Sequence, residues 1–212
     1  MKTLSSLRFI ALFLMAYLML PTTMFAQLKN DYFFCVDDSN CQWEGLNCIG
    51  DATLILADGT TNTVKGFYRG YAGIHVNSTN TLTIQGTGAL NASSNGGGAG
   101  IGCNYAGDCG NIIINGGTIT ATGAHAAAGI GTGNASTCGN ITISDAVTLV
   151  TATKGSGAIN SIGIGSNSVY YPGSPAVCGT VTIGGTVYWD GSAYQNGGEN
   201  YLTRGTLIYQ AP

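Results

Sequence analysis

The feature that most constrains this chain is a phrase it repeats: Ala72-Gly73-Ile74-His75, Ala99-Gly100-Ile101-Gly102, Ala128-Gly129-Ile130-Gly131 and Ile162-Gly163-Ile164-Gly165. A second phrase keeps step with it, as Cys109-Gly110-Asn111-Ile112, Cys138-Gly139-Asn140-Ile141 and Cys178-Gly179-Thr180-Val181. The glycine of the first phrase recurs after 27, 29 and 34 residues. The Cys-Gly pair follows it by nine residues in the first two complete units and by fifteen in the third, where Tyr170-Tyr171-Pro172-Gly173 lies in the extra segment. A fixed offset, broken only by a loop-like insertion, marks a stacked repeat rather than a closed globule.

Each unit holds two short strand-like runs before the Gly-rich phrase. Thr81-Leu82-Thr83-Ile84, Asn111-Ile112-Ile113-Ile114, Asn140-Ile141-Thr142-Ile143 and Thr180-Val181-Thr182-Ile183 align as the first run. Their alternation is the period-two pattern of a strand with one face buried. Turn residues follow, such as Asn115-Gly116-Gly117 and Gly184-Gly185, which bend where a β-branched residue would resist. The second run reads Ala89-Leu90-Asn91-Ala92, Thr118-Ile119-Thr120-Ala121, Thr148-Leu149-Val150 and Thr186-Val187-Tyr188. The Ala-Gly-Ile-Gly phrase makes a third side. Three short sides per turn and no helical period predict an all-β, right-handed parallel β-helix, a β-solenoid of about four to five coils stacked about 4.8 Å apart. Ile101, Ile130 and Ile164 are expected in one inward column. An antiparallel sandwich is the rival fold and leaves the constant offset unexplained.

An open stack must cover its ends. The Cys-rich residues 27–50 are expected to cap the N-terminal end, residues 51–187 to form the repeats, and the aromatic residues 188–212 to cap the other end. Residues 1–26 read as a signal peptide, with Lys2 and Arg8 before the apolar run Phe9–Leu20 and Pro21 after it. That run is too short for a comfortable membrane span, and no similar run follows, so no transmembrane span is expected in the mature chain. Loss of the leader leaves five basic residues against ten acidic ones. Between Gly70 and Trp189 the charged residues are Asp108, Asp145 and Lys154. Without a basic stripe, nucleic-acid binding has no support.

All seven cysteines lie beyond the leader, where disulfides persist after export. Cys103 and Cys109 bracket a short loop and are the preferred pair. Cys138 is expected near Cys109 or Cys178 on an adjacent coil, and at least two of Cys35, Cys41 and Cys48 are expected to pair. Zinc is the sharper alternative, but there is no Cys-x-x-Cys, and His75 and His125 lie far off in sequence. No metal and no cofactor are therefore expected.

Leu54-Ile55-Leu56-Ala57-Asp58-Gly59-Thr60-Thr61-Asn62-Thr63-Val64, the Ala-Gly-Ile-Gly phrases and Asn115-Gly116-Gly117-Thr118-Ile119-Thr120-Ala121-Thr122-Gly123 together resemble a family of bacterial surface or secreted proteins. Its members carry tandem GTITINGGTVTATGG…GAGIGGG units and are often labelled carbohydrate-binding domain-containing. The resemblance covers residues 51 to about 210. It implies a repeat module on the cell surface and defines no catalytic residue. Cysteine stands here where many copies have glycine, and the Tyr170-Tyr171 insertion is a further departure.

Catalysis was tested against the residues themselves. Glycoside hydrolysis needs two carboxyl groups facing each other across a sugar, and the central coils offer only Asp108 and Asp145. Lyase chemistry needs a basic residue beside acidic ligands, and Lys154 stands alone. Asp37-Asp38-Ser39-Asn40 has the oxygen content of a calcium loop but reads more simply as a solvated turn. No enzyme activity is expected. His75 ends its phrase where the other copies have glycine, with Tyr68, Arg69 and Tyr71 nearby, a group able to meet a glycan or an anion. Aromatic rings suit sugars because they bury C–H surface while the hydroxyls stay hydrated. Tyr170, Tyr171 and Trp189 are thus the candidate ligand-binding residues, with capping the favoured role for Trp189. A Thr83, Thr142, Thr182 column raises an ice-binding ladder, but Ile113 interrupts it. The expectation is an exported, secreted or surface-displayed, non-catalytic module for adhesion or glycan binding, its partner a glycan or a host or cell-surface ligand. A purely structural surface protein is the alternative, and a polysaccharide-acting enzyme the least supported.

Overall fold

The computed structural model describes residues 23–28 (main chain), 45–67, 70–166 and 175–212. Strand β1 (Thr23–Leu28) and β2 (Leu46–Cys48) precede the first full coil, made of β3 (Asp51–Leu56), β4 (Thr61–Gly66) and β5 (Ile74–Val76). The second coil is β6 (Thr81–Gly86), β7 (Ala89–Ser94) and β8 (Ile101–Gly102). The third is β9 (Asn111–Ile114), β10 (Thr118–Thr122) and β11 (Ile130–Gly131). The fourth gains a short side: β12 (Thr137–Cys138), β13 (Ile141–Ile143), β14 (Leu149–Thr153) and β15 (Ile162–Gly163). β16 (Val177–Cys178), β17 (Val181–Ile183), β18 (Thr186–Trp189), helix α1 (Gly198–Leu202) and β19 (Thr206–Tyr209) complete the chain.

The strands stack into sheets ordered β1-β3-β6-β9-β13-β17-β18, β19-β14-β10-β7-β4 and β15-β11-β8-β5-β2, with β12-β16 at the fourth corner. The coils pair in parallel and in register, so the protein is a β-solenoid of about four turns. Stacking of identical phases turns each alternating strand into a buried column. Ala52, Leu82, Ile112, Ile141 and Val181 form one, and Leu54, Ile84, Ile114, Ile143 and Ile183 the next. Most of these side chains are fully buried, each stabilising the fold by about 1.5–3 kcal/mol relative to exposure.

The third-side column corrects the sequence alignment. Leu46, Ile74, Ile101, Ile130 and Ile162 are in register, so Ile162 and not Ile164 continues the row. Backbone conformation decides this. Gly102, Gly131 and Gly163 share φ values of 138°, 129° and 110°, a region that L side chains rarely adopt. The residue before that glycine is therefore the one that points inward. Ile164 is half-buried at the edge of the core.

The C-terminal end also departs from the sequence reading. Thr186-Val187-Tyr188 does not stack on Thr148-Leu149-Val150. Gly184 and Gly185 both have positive φ, 56° and 72°, which suits a two-residue hairpin turn. β18 accordingly folds back antiparallel on β17, with Ile183 opposite Thr186. The vacated edge of β14 is taken by β19, also antiparallel, pairing Val150 with Tyr209 and Ala152 with Leu207. Thus the stack ends by reversing its strands, and α1 lies beside β18. The carbonyls at the end of α1 are satisfied by the last coil, as helix ends require. Leu202 O accepts from Ser161 N (2.8 Å) and Ser161 Oγ (3.0 Å), and Thr203 O accepts from Lys154 Nζ (2.6 Å).

At the other end, β1 pairs in parallel with β3, Thr23 opposite Asp51 through Leu28 opposite Leu56. Its first four residues belong to the segment read as leader, so in the full chain that segment's end covers the β3 edge. The proposed Cys-rich cap, including Cys35 and Cys41, falls largely outside the described residues. No helix among the described residues is long and apolar enough to cross a membrane.

Candidate functional site

The Cys-Gly-Asn phrase resolves into two ladders along one corner. Asn111 Oδ1 accepts from Asn140 N and Asn140 Oδ1 from Thr180 N, each at 2.9 Å. Asp51 Oδ1 makes the same bond to Thr81 N at 2.8 Å two coils before Asn111. These bonds satisfy turn amides that would otherwise lack partners. Inside them run the sulfurs. Cys109 bridges Cys138 in parallel, and Cys138 is in register with Cys178. Cys103 and Cys109 are joined by a disulfide, Cα atoms 4.9 Å apart. Cys48, Cys138 and Cys178 carry free, buried thiols. Burial pushes the Cys48 thiol up to about 11. The hydrogen bond with Cys178, followed by burial, pushes Cys138 well above the usual thiol range.

The acidic residues of the coils are engaged in hydrogen bonds within the fold. Asp58 Oδ1 accepts from Thr87 Oγ1 (3.0 Å) and Asp108 Oδ1 from Thr137 N (3.0 Å). Asp145, at a turn, accepts from the Tyr209 hydroxyl of the cap. Burial and this contact with Asp145 raise Tyr209 to about 12. The Ala193 and Ser192 donors hold Asp190 down at about 2. Lys154 Nζ donates to Ile159 O at 2.7 Å as well as to Thr203 O. Asp31, Asp37, Asp38 and Glu44 lie outside the described residues.

A cleft of about 240 Å³ opens where three successive corners meet, lined by Gly45, Leu46, Asn47, Tyr71, Ala72, His75 and Asn104. His75 stands in the row of Gly102, Gly131 and Gly163, so it places an imidazole where later coils have none. Its Nδ1 is 3.0 Å from Gly102 O. A carbonyl can only accept, so Nδ1 carries the proton and Nε2 of the neutral ring keeps its lone pair. Burial lowers the His75 pKa, opposed by the Gly102 contact. Asn104 Oδ1 accepts from Ala72 N at 2.8 Å and pins the cleft wall. Sequence reading reached His75 and Tyr71 but missed Asn47 and Asn104. No local motif marks these two, because register alone brings them to the cleft.

Tyr170 and Tyr171 lie outside the described residues, as do Tyr68 and Arg69. Trp189 is built into the cap. Its Nε1 donates to Cys178 O at 3.1 Å, and its ring meets Tyr194 edge-on at 5.1 Å. Tyr188 packs on Tyr201 at 4.6 Å. Both β18 rings are half-buried, where strand alternation alone would put one inside and one outside, because β18 folds back at the end of the stack. His125 is exposed at a corner. Outward threonines are denser on a sheet other than the one the sequence singled out. Thr118, Thr120 and Thr122 lie beside Leu149, Thr151 and Thr153 on one side and Ala89, Asn91 and Ser93 on the other. Against this architecture no family model, no curated protein and no solved structure matches the chain.

Proposed function

We propose that this chain is an exported, surface-displayed, non-catalytic binding module of the bacterial repeat type it resembles, taking an uncharged, hydroxyl-rich ligand such as a glycan. The observation that carries the reading is the cleft at the first coils. It combines an aromatic ring (Tyr71), an imidazole with one nitrogen committed and one lone pair left, and the side chains of Asn47 and Asn104. Polar groups gathered beside one aromatic ring suit a sugar ring. The engagement of Asp51, Asp58, Asp108 and Asp145 in contacts between coils and with the cap supports a non-catalytic role, since hydrolysis needs a facing pair of carboxyls.

The test is a glycan array with the chain from Gln27, followed by retention on the best ligand for Tyr71→Ala, His75→Ala and the Tyr170→Ala/Tyr171→Ala double variant. Each stacked ring contributes about 1 kcal/mol, so loss of Tyr71 should weaken retention several-fold without altering the melt. Loss only in the Tyr170/Tyr171 variant would move the site to the insertion. No hits on the array would overturn the reading and favour a structural surface role, which the packing of Trp189 within the cap already suits.

A further inference from the structure

The cysteine corner carries an inference independent of the cleft. The Sγ atoms of Cys103, Cys109 and Cys138 all lie within 4.8 Å of one another, and all three residues are buried. Cys178, also buried, is the hydrogen-bond partner of Cys138. Three of the four residues occupy one column on successive coils, and Cys103 joins them across the 104–108 loop.

In-register parallel stacking holds neighbouring Cα atoms about 4.8 Å apart with their Cβ bonds parallel. A disulfide instead wants converging Cβ atoms about 3.8 Å apart. A thiophilic cation with bonds of about 2.3 Å spans sulfurs roughly 3.8 Å apart, so the ladder's spacing suits a shared ion better than a bond between coils. Soft thiolate sets select such ions. The surroundings agree with a site that exists as neutral thiols until a metal displaces their protons. The two free thiols of the column face carbonyl acceptors, Cys138 Sγ 3.7 Å from Gly110 O and Cys178 Sγ 3.8 Å from Gly139 O. The described cations are placed elsewhere: Lys65 at Phe67, Lys154 at the cap and Arg204 at Tyr201.

We infer that reduction of the Cys103–Cys109 disulfide opens a binding site for one thiophilic divalent cation of the zinc type, held by the three sulfurs of Cys103, Cys109 and Cys138. Reduction needs a dithiol. It passes two electrons to the disulfide, two cysteine thiols form, and the dithiol leaves as its own disulfide. Metal binding then releases thiol protons to solvent. The 104–108 loop, whose Ala106 and Asp108 are exposed, is the way in once its tether is cut.

The experiment titrates Co²⁺ into the chain reduced with a dithiol and desalted without oxygen. The expected result is a sulfur-to-cobalt charge-transfer band saturating at one equivalent, displaced by Zn²⁺ and absent from the oxidised chain. Cys138→Ala should weaken binding at least about 100-fold, whereas Cys48→Ala should leave it unchanged. Cys103→Ala replaces Cys138→Ala if the latter does not fold. No band with the reduced, folded chain overturns the inference, as does equal affinity of wild type and the ladder variant. If reduction unfolds the chain, Zn²⁺ must restore its β-sheet circular dichroism, and failure to do so overturns the inference equally.

Discussion

Truncating three isoleucines one at a time tests the register of the third side. Ile130 is fully buried between Ile101 and Ile162 in the same row. Ile→Ala removes three carbons, a transfer loss of about 2.4 kcal/mol at about 0.8 per methylene. The rows above and below are fixed by interstrand hydrogen bonds and cannot close in. Most of the removed volume therefore remains as a cavity, adding about 1.5 kcal/mol. Ile130→Ala should thus cost about 4 kcal/mol. Ile162, also fully buried, ends its sheet beside the cap, where α1 can settle inward, so about 3 kcal/mol is expected. Ile164 is half-buried and leaves no closed cavity, so Ile164→Ala should cost about 1 kcal/mol. Urea unfolding followed by tryptophan fluorescence and circular dichroism gives the three values. A loss for Ile164→Ala equal to or greater than that for Ile162→Ala would refute the register and restore the alignment that the repeated phrase suggests.

Three further perturbations probe the cap and the corner. Lys154→Met removes two hydrogen bonds from a cationic donor, one to Ile159 O in the last coil and one to Thr203 O in the cap, and should lower stability by about 1–2 kcal/mol and raise proteolysis after Arg204. Because Tyr209 is raised to about 12 when folded against about 10 when unfolded, the folded state holds its proton more tightly. That contribution is present below pH 10 and fades as pH rises towards 12. Tyr209→Phe should flatten the melting temperature's dependence over that window, and an unchanged slope would remove Tyr209 as its source. Asn140→Ala should cost about 1 kcal/mol by unpairing Thr180 N, whereas Asn140→Asp should largely preserve stability because a carboxylate oxygen also accepts. Thermal melts of the two variants separate these outcomes.

The solenoid was legible in the sequence because a repeat places the same residue at the same height in every coil, so alternation and offset suffice to predict inward columns. The Cys103–Cys109 pair was legible because the two residues bracket one short loop. Positions where two local patterns compete were not. Ile162-Gly163-Ile164-Gly165 contains two Ile-Gly pairs, and only the φ of Gly163, set by stacking on Gly131, decides which isoleucine is inside. Thr186-Val187-Tyr188 looks like another second run, yet Gly184-Gly185 turns it back as a hairpin and leaves the β14 edge for a strand far along the chain. The sulfur cluster was legible from the shared phase of Cys109 and Cys138 and the short loop to Cys103, but the make-up of the cleft was not: Asn47 and Asn104 become neighbours of His75 only after successive coils come to rest in register. The sequence by itself therefore determined the period and the inward faces, which depend on short-range alternation. Tertiary structure alone decided what lines the cleft and how the stack ends, because those contacts join residues tens of positions apart.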